Sequence, residues 1–168
     1  HFKRPVYDYR REWANFTHDT SSAMDILRVC RAAAEVPAKT FDSLAVSIWI
    51  REGTAGNAIL AASTVFSEQK HEKELVDKAR QLMAAVASGN TPMDLDYEID
   101  ELPENLREVG QEVFTTLETR YCIPLKVKNE LVGILTLGRR VGGAPLSTED
   151  FDLIATRADQ LAANVQNI

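Results

Sequence analysis

The switch of hydrophobic period between Tyr121 and Val165 constrains the fold more than any other feature of this chain. Tyr121, Ile123, Leu125 and Val127 alternate with Cys122, Pro124, Lys126 and Lys128. A period of two marks a strand, because successive side chains leave opposite faces of the pleat. Asn129 and Glu130 read as a turn, and a second strand follows. Leu131, Gly133, Leu135 and Leu137 are assigned to one face, and Val132, Ile134 and Thr136 to the other. Apolar residues on both faces predict a central strand covered on both sides. A Gly-Gly-Ala-Pro loop comes next, and the period lengthens. Phe151, Ile154, Ala158, Leu161 and Val165 recur at three and four residues, the stripe of an amphipathic helix. Ser147 is placed to cap that helix, with Glu149 and Asp150 in its first turn, where the helix dipole favours negative charge. Two paired strands feeding a helix demand a sheet with a helix laid across it.

The rest of the chain repeats that pattern. Asp19 or Thr20 can cap a helix carrying Met24, Ile26, Leu27, Cys30 and Ala34 on one face, and Pro37 is expected to end it. Ser43 to Arg51 alternates, with Leu44, Val46, Ile48 and Ile50 opposite Ser43, Ala45, Ser47 and Trp49. Turn residues at 52–57 lead to a returning strand over Ile59 to Phe66. Leu75, Ala79, Leu82 and Val86 then form a second helical stripe, and Gly89 suits its C-terminal cap. The order is helix, strand, strand, helix, variable segment, strand, strand, helix. Hairpin-joined strands predict an α+β fold: a central antiparallel sheet with the N- and C-terminal helices on one face and a helix and loop cover on the other. Gly133 in a central strand is expected to admit the close approach of a helix or ligand, and Pro124 suits an edge or bulge.

Thr91 to Glu118 differs in character. It holds nine carboxylates and one basic residue, Arg107. Such a run reads as a solvated surface and as a cover over one sheet face. Asp94, Asp96 and Glu98 alternate, but the glycine and closing glutamate of an EF-hand loop are missing, which excludes that calcium motif. Val113, Phe114 and Leu117 fit either a helical turn or an edge strand. His71 reads as a solvated helix-end residue, and nothing near it in sequence has zinc-like spacing. No metal or cofactor is expected.

The net charge of -6 argues against a nucleic-acid partner, which calls for a basic face. Cys30 and Cys122 fall in regular elements, so they read as buried thiols in a reducing cytoplasm. No apolar run reaches the roughly 20 residues of a membrane helix. Residues 1–18 mix Lys3, Arg4, Arg10 and Arg11 with Tyr9, Trp13 and Phe16. They read either as a helix packed on the body or as a juxtamembrane segment obeying the positive-inside rule. Two regions are drawn on this basis: 1–18 as a linker or helix following a membrane part of a longer parent, and 19–168 as one domain.

The closing text resembles a GAF domain. The residues that carry the resemblance are Cys122-Ile123-Pro124-Leu125, then Glu130 to Gly138, Leu146 to Phe151, and Ala158-Asp159-Gln160-Leu161-Ala162. The first half resembles the GAF domain of membrane-anchored sensor histidine kinases associated with bacterial PEP-CTERM protein sorting, through Tyr9-Arg10-Arg11-Glu12-Trp13, Phe16-Thr17 and Met24 to Val29. The resemblance implies a cytoplasmic sensing module of a two-component kinase anchored in the inner membrane. Phosphoacceptor and ATP-lid motifs are absent, so the segment is read as having no enzymatic activity. The Asn-Lys…Phe…Asp signature of cyclic-nucleotide-binding members is also absent. The Cys-His of bilin-binding members is replaced by Cys122-Ile123 and Cys30-Arg31. The loop cysteines of methionine sulfoxide reductase members have no counterpart.

Three roles follow. The first is a module that senses a small molecule and dimerises through its terminal helices, with Trp49, Phe66, Phe114 and Tyr121 as candidate ligand-lining residues. The second keeps the fold as a ligand-free spacer. The third is a thiol enzyme using Cys30 or Cys122, which requires an exposed thiol of lowered pKa.

Overall fold

The structure, a computed structural model, describes residues 20–43, 45–52, 57–65, 72–87, 92–96, 104, 107 and 113–168. The linker or helix expected on residues 1–18 and the readings of Phe66, His71 and Gly89 fall outside the described residues, as do residues 53–56 of the turn expected at 52–57.

Helix α1 (Thr20–Thr40) buries Leu27, Cys30 and Ala34, as its periodicity requires. Pro37 does not end it. The helix runs three residues further, because the proline sits in the last turn and its own carbonyl still accepts from Phe41 N at 3.0 Å. Strand β1 (Val46–Glu52) and strand β2 (Asn57–Ser63) form the first hairpin. Helix α2 (Glu72–Val86) buries the stripe Leu75, Ala79, Leu82 and Val86. A two-residue strand, β3 (Met93–Asp94), and a helical turn at 113–116 belong to the acidic segment, so Val113 and Phe114 are helical and the edge strand lies earlier. Strands β4 (Tyr121–Val127) and β5 (Glu130–Leu137) form the second hairpin, and helix α3 (Thr148–Gln166) closes the fold.

The five strands make one sheet in the order β2-β1-β5-β4-β3, and each adjacent pair is antiparallel. The architecture is α+β. Helix α1 lies over β1 and β2, and α3 lies beside it over β4 and β5; α2 covers the opposite face at β2 and β5. Each face therefore has its own core. Leu27, Val46, Ile48, Ile123, Leu125, Leu135 and Ile154 belong to the face of the terminal helices. Trp49, Leu60, Leu82, Phe114, Cys122 and Ile134 belong to the other.

Two bulges alter the alternation expected from the sequence. On β5, Leu125 pairs with Gly133 but Lys126 pairs with Leu131, which leaves Val132 as the extra residue. Leu131 consequently joins the α2 face and Val132 the terminal-helix face, the reverse of the strict period of two. On β2 the same shift leaves Ala61 between the partners of Ile48 and Trp49. The β4–β5 turn sits one residue earlier than expected, on Lys128 and Asn129, whose φ values of 51° and 68° suit a tight hairpin. Among the described residues β3 pairs only with Tyr121 and Cys122, so Pro124 lies where β4 has become an edge and its missing N–H is tolerated.

Gly133 has a different reason from the one expected. A Cβ there would lie 2.1 Å from the carbonyl oxygen of Trp49 and 3.2 Å from Ile50 Cα. The close approach is by the neighbouring strand β1, not by a helix or ligand.

Candidate functional site at the terminal helices

The sheet separates the aromatic residues that the sequence nominates. Trp49 on β1 and Phe114 in the turn at 113–116 share the core beneath α2, both buried. Tyr121 starts β4 with its side chain on the opposite face, against α3. The three do not line one space, because Tyr121 pairs with Leu137 in a register that sends both to the terminal-helix side.

A groove of about 350 Å³ lies elsewhere, between α1 and α3. Leu135 of β5 and Phe41 reach it from the sheet side. Val29, Ala33, Val36 and Thr40 supply one wall, and Leu153, Arg157, Gln160 and Asn164 the other. Both sets recur at four, three and four residues, a second stripe beside the one buried in the core. The α1 wall is mainly apolar and the outer α3 wall mainly polar. Val36 and Leu153 are each 42% exposed and stand on opposite walls of the groove, so the two open aliphatic side chains share one surface. Sequence reasoning followed the core stripes and missed this one; the spacing of Val29, Ala33 and Val36 was the available signal.

One end of the groove is stitched. Ser147 caps α3 with a reciprocal pair: Asp150 N donates to Ser147 Oγ at 3.1 Å, and Ser147 N donates to Asp150 Oδ2 at 2.9 Å. Arg140 donates from Nε to the Phe41 carbonyl at 2.9 Å and sets Nη1 3.9 Å from Asp150 Oδ2. The last residues of α1 are thereby held at the start of α3, so the two helices run antiparallel.

A second charged cluster sits at the other edge of the sheet. Arg120 donates from Nε and Nη2 to the two carboxylate oxygens of Asp94, each at 3.3 Å. Asp96 lies 4.0 Å from Arg120 Nε and pairs with Arg139. Only 12% of the Asp94 side chain is exposed, so this carboxylate is part of a buried pair and not of a solvated surface. Burial lowers the Arg120 pKa, but the hydrogen bonds and charge of Asp94, with Tyr121 and Asp96, reverse this and hold it above the usual arginine value.

Both thiols are fully buried, Cys30 on the terminal-helix side and Cys122 beneath α2. Desolvation pushes each up to about 12, so neither is a thiolate near neutral pH. Among the described residues no three His, Cys, Asp or Glu side chains converge as a metal site would require. None of the described helices is long and apolar enough to cross a membrane.

The family described as GAF domain matches residues 29–167. The chain belongs to this family. The GAF domain is similar to residues 122 to 287 of a methyl-accepting chemotaxis protein, with 18% identity and a TM-score of 0.63 over 86% of this chain and 90% of that one. It is similar to the GAF domain/HD domain protein of Geobacter sulfurreducens, with 16% identity and a TM-score of 0.59 over 88% and 95%. It also resembles a domain assigned to a two-component sensor histidine kinase of Sinorhizobium meliloti, with 18% identity and a TM-score of 0.53 over 83% and 90%. At these identities the likeness is one of fold. Comparison with curated proteins found no match.

Proposed function

We propose that this GAF domain is the sensing and dimerising module of a bacterial two-component sensor histidine kinase. A second copy packs on the groove between α1 and α3, and an unidentified small molecule biases the arrangement of these helices. The exposed apolar stripe carries the reading. Val36 and Leu153 remain open on helices that each bury one stripe against the sheet, and an apolar seam of this kind gains most by packing on another helix. Chemoreceptor and sensor-kinase proteins among the similar folds support a signalling role. The text at Tyr9 to Val29 supports a parent anchored in the inner membrane and associated with PEP-CTERM sorting, with this domain on the cytoplasmic side.

Ligand action follows from population shift: a molecule with different affinity for two helix arrangements favours one of them. Sedimentation equilibrium tests the dimer. Wild-type protein is expected to dimerise, and Val36→Asp or Leu153→Asp to weaken association at least ~10-fold while leaving the circular dichroism spectrum unchanged. A monomeric wild type at high concentration would sink the dimer. Thermal-shift measurements against a metabolite panel, with native mass spectrometry, test the ligand.

A ligand-free spacer is the second reading. The burial of Trp49 and Phe114 in the core beneath α2 favours it, since large side chains already occupy that face. No stabilisation by any compound, in a protein that still dimerises, selects the spacer.

A further inference from the structure

We infer that Arg120 and Tyr121 couple the position of the acidic segment to the seating of α3 on the sheet. The two residues are adjacent in the chain but face different elements. Arg120 grips Asp94 of β3 through two parallel hydrogen bonds, a geometry that fixes direction as well as distance. Its guanidinium carbon lies 5.0 Å from the centre of the Tyr121 ring, within reach of a cation–π contact. Tyr121 in turn makes two contacts at the start of α3. Its hydroxyl oxygen accepts from Leu146 N at 3.0 Å, and its ring meets Phe151 edge-on with centroids 5.6 Å apart.

Each link has little slack. Arg120 is nine-tenths buried and Tyr121 almost wholly so. Arg120 N donates to the Leu137 carbonyl, and Leu95 N donates to the Arg120 carbonyl, so the backbone between the two ends is also held. Leu146 immediately precedes the cap residue Ser147. A displacement of β3 that loosens the Asp94 grip therefore changes the support under the Tyr121 ring, and with it the hydrogen bond and ring contact that seat the first turn of α3. The acidic segment reaches α3 through the sheet edge, without crossing the core beneath α2. This route deepens the sensing reading and rests on it for its purpose; the coupling itself needs no ligand.

Site-resolved amide exchange on the whole chain tests the coupling. Asp94→Asn is expected to speed exchange at Leu146 by ~10-fold while leaving Leu82 of α2 unchanged. In a Tyr121→Phe background, which already lacks the acceptor, Asp94→Asn is expected to add nothing at Leu146. Asp96→Asn, at the margin of the same cluster, is expected to give a smaller rise and serves if Asp94→Asn fails to fold. No change at Leu146, an equal rise at Leu82, or full additivity with Tyr121→Phe overturns the coupling. A monomeric wild type would instead overturn the dimerising module and leave this route standing.

Discussion

The two faces of the sheet solve the same burial problem differently. On one, α1 and α3 lie side by side and bury regular stripes, yet an apolar seam stays open between them. On the other, α2 and the turn at 113–116 leave large side chains, Trp49, Leu82 and Phe114, wholly enclosed. Two straight rods cannot close every gap above a twisted sheet, whereas one rod and a short turn can follow its shape. The more regular cover is thus the one left with surface to offer a partner.

Substitutions can break this contrast or sharpen it. The largest effect belongs to Gly133→Ala, which hits both faces at once. Its Cβ would meet backbone at 2.1 Å, and backbone cannot step aside cheaply. A loss of about 5 kcal/mol or more is expected in urea unfolding, enough to exhaust a marginally stable domain. A stability near wild type would show that β1 and β5 can part without harm.

Each face also carries one buried thiol, which reports its opening. With the pKa at about 12 in place of 9.0, the thiolate fraction at pH 8 falls by roughly three powers of ten. Neither Cys30 nor Cys122 is expected to react with a thiol reagent at pH 8 on the timescale that completes the reaction in denaturant. Rapid reaction of one alone would identify a face that opens independently.

Core truncation should cost both faces similarly. Trp49→Ala is expected to lose about 4 kcal/mol and Ile154→Ala about 3 kcal/mol by chemical denaturation. A much smaller loss for Trp49→Ala would mean that the enclosed face collapses easily around the gap. Removing the cap with Ser147→Ala should cost about 1 kcal/mol. The smallest effect is expected at the seam. Leu153→Ala should change monomer stability by less than ~0.5 kcal/mol, because the side chain is already 42% exposed. A larger loss there would make Leu153 a core residue and remove the contrast between the faces.

The sequence was most legible where one period ran without interruption. Tyr121 to Val127 and the stripe from Phe151 to Val165 fall on the faces their spacing dictates. Legibility failed where pairing decides. The bulge at Val132 moves Leu131 to the other side, and no property of β5 alone announces it. β3 is two residues long, too short to show any period. Pro37 predicts a stop because its ring disfavours a helical residue before it, yet the helix continues to Thr40. Residue type alone nominates the aromatics, whereas their grouping depends on strand register, which puts Tyr121 across the sheet from Trp49 and Phe114. The exposed seam and the Asp94–Arg120 pair arise from tertiary contacts between segments far apart in the chain.

The stitch at Arg140 gives the paired helices a mechanical character. It fixes the point where α1 ends and α3 begins, while Thr20 and Gln166 lie at the far tips of helices of 21 and 19 residues. At 1.5 Å per residue those arms are roughly 30 Å long, so each degree of splay at the pivot moves a tip by roughly 0.5 Å. A rearrangement too small to notice near Arg140 would arrive as a sizeable stroke where the chain comes in and goes out, and a host helix grafted onto either tip would feel it.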